Sequence, residues 1–171
     1  MTDFSTDQEA AAATPVGPAW SPDGGRIAFS VVPTGDEHLD VGGIEVVRAD
    51  GSGKTRLTDI PPFGGPVWSP DGTRLLFASW QGATAGIYAI KADGSGLTNL
   101  TRDHDGQAWQ FAWSPDGTRI AFASDEDIWL MNADGTGKVP VAATPLDDSS
   151  PTWSPDGTKI AFVSQPVPVS D

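Results

Sequence analysis

The sequence predicts an all-β protein, a partial β-propeller of about 3.5 to 4 four-stranded antiparallel blades. Three observations lead to this prediction. A Trp-Ser-Pro-Asp-Gly motif occurs four times, an Ala-Asp-Gly motif alternates with it, and Gly and Pro number 20 and 15 among 171 residues. Many short strands joined by tight turns account for all three, because Gly and Pro are residues that such turns require.

The two motifs alternate along the whole chain. Successive tryptophans of the first motif lie 48, 45 and 40 positions apart, which is close to the period of one four-stranded blade. The second motif is ADGSG at 49–53 and 92–96 and ADGTG at 133–137. The first-motif residues to which we assign a structural role are Trp20, Asp23, Gly24, Trp68, Asp71, Gly72, Trp113, Asp116, Gly117, Trp153, Asp156 and Gly157.

Strand a of each period is the short stretch that ends in the tryptophan, such as GPVW or QFAW. The proline that follows suits the first central position of a tight turn because its φ is fixed, and the later glycine tolerates positive φ. We interpret the tryptophan as a spacer between neighbouring blades, with one N–H group to satisfy. An aromatic platform for a ligand is the alternative interpretation. The spacer hypothesis predicts that all four indoles are covered.

Strand b is the apolar run after the turn, for example RIAFAS, in which large and small residues alternate. Both faces of such a strand are expected to be buried between stacked sheets. Strand c is GIEVVRA, GIYAIKA or DIWLMNA, and strand d is TRLTD, TNLT or VPVAAT. The Asp-Gly pair between strands c and d predicts a hairpin turn.

The repeat divides the chain into three parts. Residues 1–13 are predicted to be a disordered, acidic and alanine-rich tail, residues 14–164 contain the blades, and residues 165–171 are a C-terminal tail or a truncated strand. Pro166 and Pro168 each remove a donor from what would be the next strand. The prediction is therefore three complete blades plus strands a and b of a fourth. We expect either a fragment of a longer polypeptide or self-association that completes a ring.

The composition disfavours several classes of partner. The formal net charge of -13 repels phosphate backbones and anionic lipid, so we expect no nucleic-acid binding and no membrane insertion.

The absence of cysteine excludes disulfides and thiolate metal sites. The first residues lack the basic and apolar regions of a secretory signal. The sequence as written is therefore predicted to be cytoplasmic, or periplasmic or extracellular if a leader precedes it.

The pattern W-S-P-D-G-x-[RK]-[IL], followed by A-D-G-[ST]-G and Leu-Thr, resembles the TolB-like, WD40-like (PD40-type) β-propeller repeat. The resemblance covers residues 18 to about 164. It implies the propeller fold without implying one activity, because the family includes interaction proteins and also the propeller domains of prolyl-oligopeptidase-like peptidases.

In an antiparallel meander, successive turns alternate between the two ends of a sheet. The a–b turns (SPDG) and the c–d turns (ADGSG) must then share one end, and the variable b–c and d–a loops must share the other. Variable loops on a rigid scaffold are where specificity is usually located. These loops contain eleven acidic residues and one cation, Arg102. The acids are Asp36, Glu37, Asp40, Asp59, Asp103, Asp105, Asp125, Glu126, Asp127, Asp147 and Asp148.

Three interpretations of these acidic loops stay open: a solvated surface, a docking face for a basic protein partner, and a divalent-cation site. The last would lie near Asp103 and Asp105, although this run falls short of an EF-hand loop. No other cofactor is expected. The candidate partner-binding residues are Asp36, Glu37, His38, Asp40, Asp103, His104, Asp105, Asp125, Glu126, Asp127, Asp147 and Asp148.

No catalytic motif accompanies the repeat. A G-x-S-x-G nucleophile elbow, an H-E-x-x-H zinc motif and a Walker loop are all missing from the sequence. We therefore predict a non-catalytic scaffold for protein–protein interaction that binds its partner through the acidic loops. The alternatives are an accessory propeller domain detached from a prolyl-oligopeptidase-like serine peptidase, and a metal-dependent carbohydrate-active enzyme.

Overall fold

The computed structural model describes residues 14–32, 42–81, 83–142 and 145–166. These residues form fourteen strands and no helix. The described part of the chain therefore contains no helix long and apolar enough to span a membrane. The strands are β1 (Thr14–Trp20), β2 (Arg26–Val32), β3 (Gly43–Arg48), β4 (Thr55–Thr58), β5 (Pro62–Trp68), β6 (Arg74–Gln81), β7 (Thr84–Lys91), β8 (Thr98–Asn99), β9 (Ala108–Trp113), β10 (Arg119–Ser124), β11 (Asp127–Asn132), β12 (Val139–Ala142), β13 (Asp147–Trp153) and β14 (Ile160–Gln165).

The strands form four sheets in chain order. Three of them, β1–β4, β5–β8 and β9–β12, have four strands each, and β13 and β14 form a two-stranded sheet. This confirms the predicted three blades and a half. The predicted N-terminal tail, 1–13, lies outside the described residues, and β14 ends at Gln165.

The chain divides into two compact units. Unit 1 comprises residues within 1–80 and 88–98, and unit 2 comprises residues within 81–87 and 99–171. We describe the packing of each unit separately.

The SPDG turns have one geometry throughout. In the first, Gly24 N donates to Ser21 O at 2.8 Å, Ser21 Oγ donates to Asp23 Oδ1 at 2.5 Å, and Arg26 N donates to Ser21 Oγ at 2.9 Å. The turn glycine has a φ of +68°, a conformation that glycine adopts without steric cost. The other three turns repeat the serine–aspartate bond. The recurring aspartates therefore serve turn formation, as predicted.

Turns of both kinds lie at the same end of each complete blade. Ala49 N donates to Gly25 O at 3.0 Å, and Ala133 N donates to Thr118 O at 2.9 Å. Ala92 N makes the equivalent bond to Thr73 O at 2.9 Å. These bonds join each Ala-Asp-Gly turn to the SPDG turn of its own blade, which leaves the variable loops at the opposite end.

The main core of unit 1 lies between its two sheets. It contains Ala28, Ile44, Val46, Trp68, Leu75, Phe77, Tyr88 and Ile90. Trp68 is its aromatic anchor, since its Nε1 donates to the carbonyl of Ala19 at 3.0 Å and the Arg26 guanidinium lies 4.7 Å from its ring. A second cluster of Ile27, Phe29, Val31 and Val47 occupies the other face of β2 and β3.

Unit 2 repeats this packing. Trp153 Nε1 donates to Ala112 O at 3.2 Å, and the Arg119 guanidinium lies 4.9 Å from the Trp153 ring. In both units the tryptophan of one sheet thus bonds to strand a of the preceding sheet. Stacking of an arginine on the same indole adds a cation–π contact.

The expectation that all four repeat tryptophans are covered is wrong for Trp20. Trp68 and Trp113 are buried and Trp153 is half-buried, whereas Trp20 is 59% exposed. The packing of Trp68 explains the difference, because its cover comes from the preceding sheet. No sheet precedes β1 among the described residues.

Burial of both faces of strand b is likewise confirmed for three strands and wrong for the fourth. β10 has five buried residues of six, and the apolar residues of β2 and β6 that the structure places are buried apart from Trp80. β14 is exposed along most of its length. Its only ladder partner among the described strands is β13, and none of the described strands forms a third strand or a following sheet beside it.

The turn carboxylates predict a dependence of stability on pH. Hydrogen bonds from the hydroxyl of Ser114 and from Thr118 lower the pKa of Asp116 from 3.8 to about 2, and Asp156 has the same pKa of about 2 for the same reasons. Their contribution is therefore present above the unfolded pKa and is lost as pH falls through about 2. We expect the Tm of the wild type to fall over this window.

An Asp116→Asn/Asp156→Asn variant is the matched control for this prediction. Its Tm should lie below that of the wild type at neutral pH and approach it as the pH falls through about 2, because the wild-type carboxylates become protonated over this range. Thermal denaturation across the pH range measures both curves. A constant difference in Tm between the two proteins at every pH would contradict the assignment of this pH dependence to Asp116 and Asp156.

Candidate functional site

Unit 2 contains a cleft of about 440 Å³ at its variable-loop end. The β8–β9 loop and the β10–β11 turn supply its acidic residues and His104, β11 supplies Trp129, and the segment before β12 supplies Gly137 and Lys138. The lining residues are Asp103, His104, Asp105, Gly106, Asp125, Trp129, Gly137 and Lys138. Four residues predicted from the sequence to bind a partner, Asp103, His104, Asp105 and Asp125, therefore meet in one place.

His104 lies against the apolar wall of the cleft. Its ring packs edge-on against Trp129 at 4.7 Å and Phe122 at 5.4 Å between ring centroids. Its Nε2 is 2.8 Å from the Oγ of Ser124, which is buried in β10. Burial lowers the pKa of His104 below its ordinary 6.5, although the Asp125 carboxylate opposes the shift. The imidazole is therefore neutral at physiological pH.

The β10–β11 turn holds Asp125 in position. Asp125 and Glu126 both have positive φ, +48° and +70°, as the central residues of a two-residue type I′ hairpin must. The Asp125 carboxylate accepts a hydrogen bond from Gln107 N at 3.3 Å. Gly106 is buried beside it, where any side chain would collide with those of Ser124 and Asp125. The absence of a side chain at Gly106 is what lets the loop approach this turn.

The sequence analysis missed Lys138, which lies after the ADGTG turn. Its Nζ lies 2.6 Å from Asp103 Oδ1 and also donates to the carbonyl of Gly135. The hydrogen bond that Lys138 donates to Asp103, and to a smaller extent the charge of Lys138, lower the pKa of Asp103. A cation from outside the variable loops therefore also lies beside their acids. Gly135 packs against Leu100, which brings the turn close to the β8–β9 loop, and no local sequence signal indicates that approach.

The other candidate residues differ in their surroundings. Asp105, Asp125, Glu126 and Asp147 are exposed, and Asp127 is partly buried at the start of β11. Asp36, Glu37, His38 and Asp40 lie outside the described residues.

Asp148 is not available to a partner. It is 1% exposed in β13, its Oδ1 accepts a hydrogen bond from Ser164 Oγ at 2.5 Å, and its N–H donates to Glu126 O at 2.9 Å. Its prediction as a partner-binding residue is corrected, because the carboxylate joins β13 to β14 within the sheet. In unit 1, Asp59 forms an ion pair with Arg56 at 2.6 Å.

The cleft residues already have partners that compete with a metal ion. Asp103 contacts the Lys138 ammonium and His104 Nε2 contacts Ser124. Across the described ranges, no group of three or more histidine, aspartate or glutamate side chains is arranged to hold a metal.

No protein-family model matches the chain, and no curated protein matches it. Several solved structures match it. TolB from Acinetobacter baumannii has 24% identity and a TM-score of 0.68 over 90% of this chain and 38% of its own. An oligogalacturonate lyase from Vibrio parahaemolyticus has 15% identity and a TM-score of 0.73, over 96% of this chain and 50% of its own. A chain of a nidogen/laminin complex has 15% identity and a TM-score of 0.66, over 90% of this chain and 57% of its own.

This chain therefore spans about two-fifths of the Acinetobacter protein and about half of the other two. Identities this low establish the fold alone. Together with the three four-stranded sheets and the half sheet, the comparisons show that this chain is built from β-propeller blades, a fold that it shares with TolB.

Proposed function

We propose that this chain is a non-catalytic β-propeller interaction module whose acidic loops in unit 2 bind the basic surface of a protein partner. The observation that carries the proposal is the cleft in which the exposed carboxylates of Asp105 and Asp125 accompany the half-buried indole of Trp129. Carboxylates beside an aromatic ring suit an arginine or lysine side chain, because they combine charge pairing with a cation–π contact.

The charge of the whole molecule favours the same kind of partner. A net charge of -13 attracts basic proteins at long range and accelerates their encounter. Exposed charges at the edge of an interface mainly affect the association rate and its salt dependence. Glu126 and Asp147 are exposed on the segments that adjoin the cleft, and their charges add to the negative electrostatic potential there.

The comparisons support a binding role without deciding it. One similar fold comes from a nidogen/laminin complex, a structure of a protein bound to a protein. TolB structures share the blade architecture. Solved enzymes also share it, so the proposal rests on the cleft rather than on the fold.

The test measures association of a fluorescein-labelled, arginine-rich peptide by stopped flow at low and high ionic strength. An Asp105→Asn/Asp125→Asn variant removes two charges and keeps oxygen acceptors at both positions. We expect the association rate at low salt to fall by roughly tenfold relative to the wild type. High salt should reduce the difference between the two proteins.

An Asp50→Asn/Asp93→Asn variant is the control for charge alone, because it also removes two charges. Both residues lie in ADGSG turns of unit 1, where each Oδ1 accepts a bond from a backbone N–H, of Ser52 at 2.9 Å and of Ser95 at 2.8 Å, that asparagine can also accept. This variant should bind nearly as fast as the wild type. Equal association rates for the wild type and the cleft variant would contradict a docking function of the cleft. So would a control variant whose association rate falls as much as that of the cleft variant.

A metal-dependent carbohydrate-active enzyme is the second candidate, since an oligogalacturonate lyase shares the fold. This alternative predicts a calorimetric signal when Mn²⁺ or Ca²⁺ is added, and loss of that signal in the cleft variant. The ion pair of Lys138 with Asp103 and the hydrogen bond between Ser124 and His104 favour the first proposal, because a metal ion would have to displace both partners.

A further inference from the structure

Asp105-Gly106 is an Asp-Gly sequence that lies outside the repeat turns. Asp-Gly occurs eight times in the chain: four times in WSPDG, three times in the Ala-Asp-Gly motif, and once in the β8–β9 loop. In such a pair the backbone nitrogen of the glycine can approach the aspartate side chain closely, because glycine carries no side chain of its own. All eight pairs therefore hold the same two potentially reactive groups, and the local geometry determines whether these groups can meet.

The carboxylate of every repeat-turn aspartate is held in place. In all seven turns its Oδ1 accepts a hydrogen bond from the backbone N–H two residues later, at 2.8 to 3.1 Å, as is usual for aspartate in turns. The N–H two residues after Asp105 belongs to Gln107, and it donates to Asp125 Oδ1 at 3.3 Å. The Asp105 carboxylate is exposed and accepts no hydrogen bond from the residues that the structure describes.

The glycine N–H of every repeat turn is also bound. In all seven turns it donates to the backbone carbonyl three residues earlier, at 2.8 to 2.9 Å, and the φ of the glycine lies between +68° and +87°. Gly106 has neither feature. Its φ is not positive, and within the described ranges its N–H donates to no acceptor. Both reacting groups are therefore unbound at Asp105-Gly106, whereas both are bound in each repeat turn.

We propose that Asp105-Gly106 is the preferred site in the folded chain for spontaneous succinimide formation and for its product, isoaspartate. Gly106 N attacks Cγ of the protonated Asp105 side chain. The N–Cγ bond forms, the bond from Cγ to the hydroxyl oxygen breaks, and the hydroxyl group leaves as water with the amide proton. A water molecule then opens the ring. Opening at Cγ restores aspartate, and opening at the α-carbonyl carbon gives isoaspartate, in which the backbone runs through the former side chain.

Isoaspartate lengthens the loop beside the cleft by one backbone carbon. Gly106 is buried against the β10–β11 turn, where Ser124 and Asp125 leave no room for a side chain. The additional methylene group must therefore move the loop away from that turn. The reaction uses only water and the chain itself, so the proposal does not depend on the docking function.

The test is incubation of the full chain in water labelled with heavy oxygen, at neutral pH and physiological temperature, followed by trypsin digestion in ordinary water. Each ring opening leaves one labelled oxygen on the aspartate or isoaspartate. Trypsin releases residues 103–119, DHDGQAWQFAWSPDGTR, which contain both Asp105-Gly106 and the turn pair Asp116-Gly117. Fragment masses should show at least about tenfold more label at Asp105 than at Asp116, because the turn must break two hydrogen bonds before it can react.

Two controls separate the effect of the fold from that of the sequence. In concentrated guanidinium chloride, which unfolds the turns, the labelling of Asp105 and Asp116 should become similar. Asp105→Glu keeps the carboxylate but would have to form a six-membered ring, so the label at this position should disappear.

The amide variants of the docking experiment provide an independent measurement. Asp105→Asn can form the same ring by losing ammonia, so the intact mass of the cleft variant should rise as the carboxylate is regenerated. The Asp50→Asn/Asp93→Asn variant should change more slowly, because its glycine N–H groups are bound. The stopped-flow measurements are therefore made on freshly purified protein.

The absence of label at Asp105, or equal labelling of Asp105 and Asp116 in the folded chain, would overturn the proposal. So would a preference for Asp105 that is unchanged in guanidinium chloride, because the preference would then come from the sequence and not from the fold.

Discussion

Replacing Trp68 by alanine is expected to lower the free energy of unfolding by about 3–5 kcal/mol. The indole is 6% exposed, belongs to the main core of unit 1, and donates its N–H to Ala19 O. Its removal leaves a cavity, an acceptor without its donor and an Arg26 guanidinium without its aromatic surface. Urea denaturation of the full chain measures the loss.

Trp20→Ala is the matched control for this effect. Trp20 holds the same repeat position and also ends a strand a, but most of its surface is exposed. Substitution should change the free energy of unfolding by no more than about 1 kcal/mol. Similar losses for both variants would show that burial between sheets is not what makes the repeat tryptophan structural.

Phe122→Ala is the second substitution with a large expected effect, a loss of about 3–5 kcal/mol in the free energy of unfolding. Phe122 is fully buried in β10, and its ring stacks with Trp129 at 6.4 Å and contacts the edge of His104. The substitution therefore also removes the apolar support of the cleft. Urea denaturation again measures the change.

Phe162→Ala provides the comparison at the equivalent position of β14. Because this side chain is partly exposed and its strand pairs only with β13 among the described strands, we expect a cost of about 1 kcal/mol or less. If Phe162→Ala cost as much as Phe122→Ala, the difference in burial between the two phenylalanines would not determine their contributions to stability.

The fold could be predicted from the sequence because each repeat carries its own turn chemistry. The serine and aspartate of WSPDG bond to each other within the turn, and the glycine supplies positive φ. These are local effects, so they follow from five consecutive residues. Both the number of strands and the shared end of the two turn types follow from the motif spacing.

Burial at repeated positions depends on neighbours and therefore could not be predicted from the motif alone. Trp20 and Trp68 have the same local sequence but different surroundings, because only Trp68 has a preceding sheet among the described residues. The same reasoning applies to Phe122 and Phe162. Repetition predicts the conformation of a segment, whereas its environment depends on what packs against it.

The site was predicted only in part, for a similar reason. The acids of the β8–β9 loop and of the β10–β11 turn do meet in one cleft. Lys138 joins them through the packing of a distant turn, and Asp148 turns inward to bond with Ser164. Side-chain direction at such positions depends on tertiary contacts, which residue type and loop membership do not indicate.

The most direct test of the account is hydrogen–deuterium exchange of the seven indole N–H groups, resolved by NMR. Stacked sheets predict slow exchange for Trp68, whose N–H bonds to Ala19 O, and fast exchange for the exposed Trp20. Exchange of Trp68 as fast as that of Trp20 would contradict the packing of one sheet's tryptophan on the strand before it.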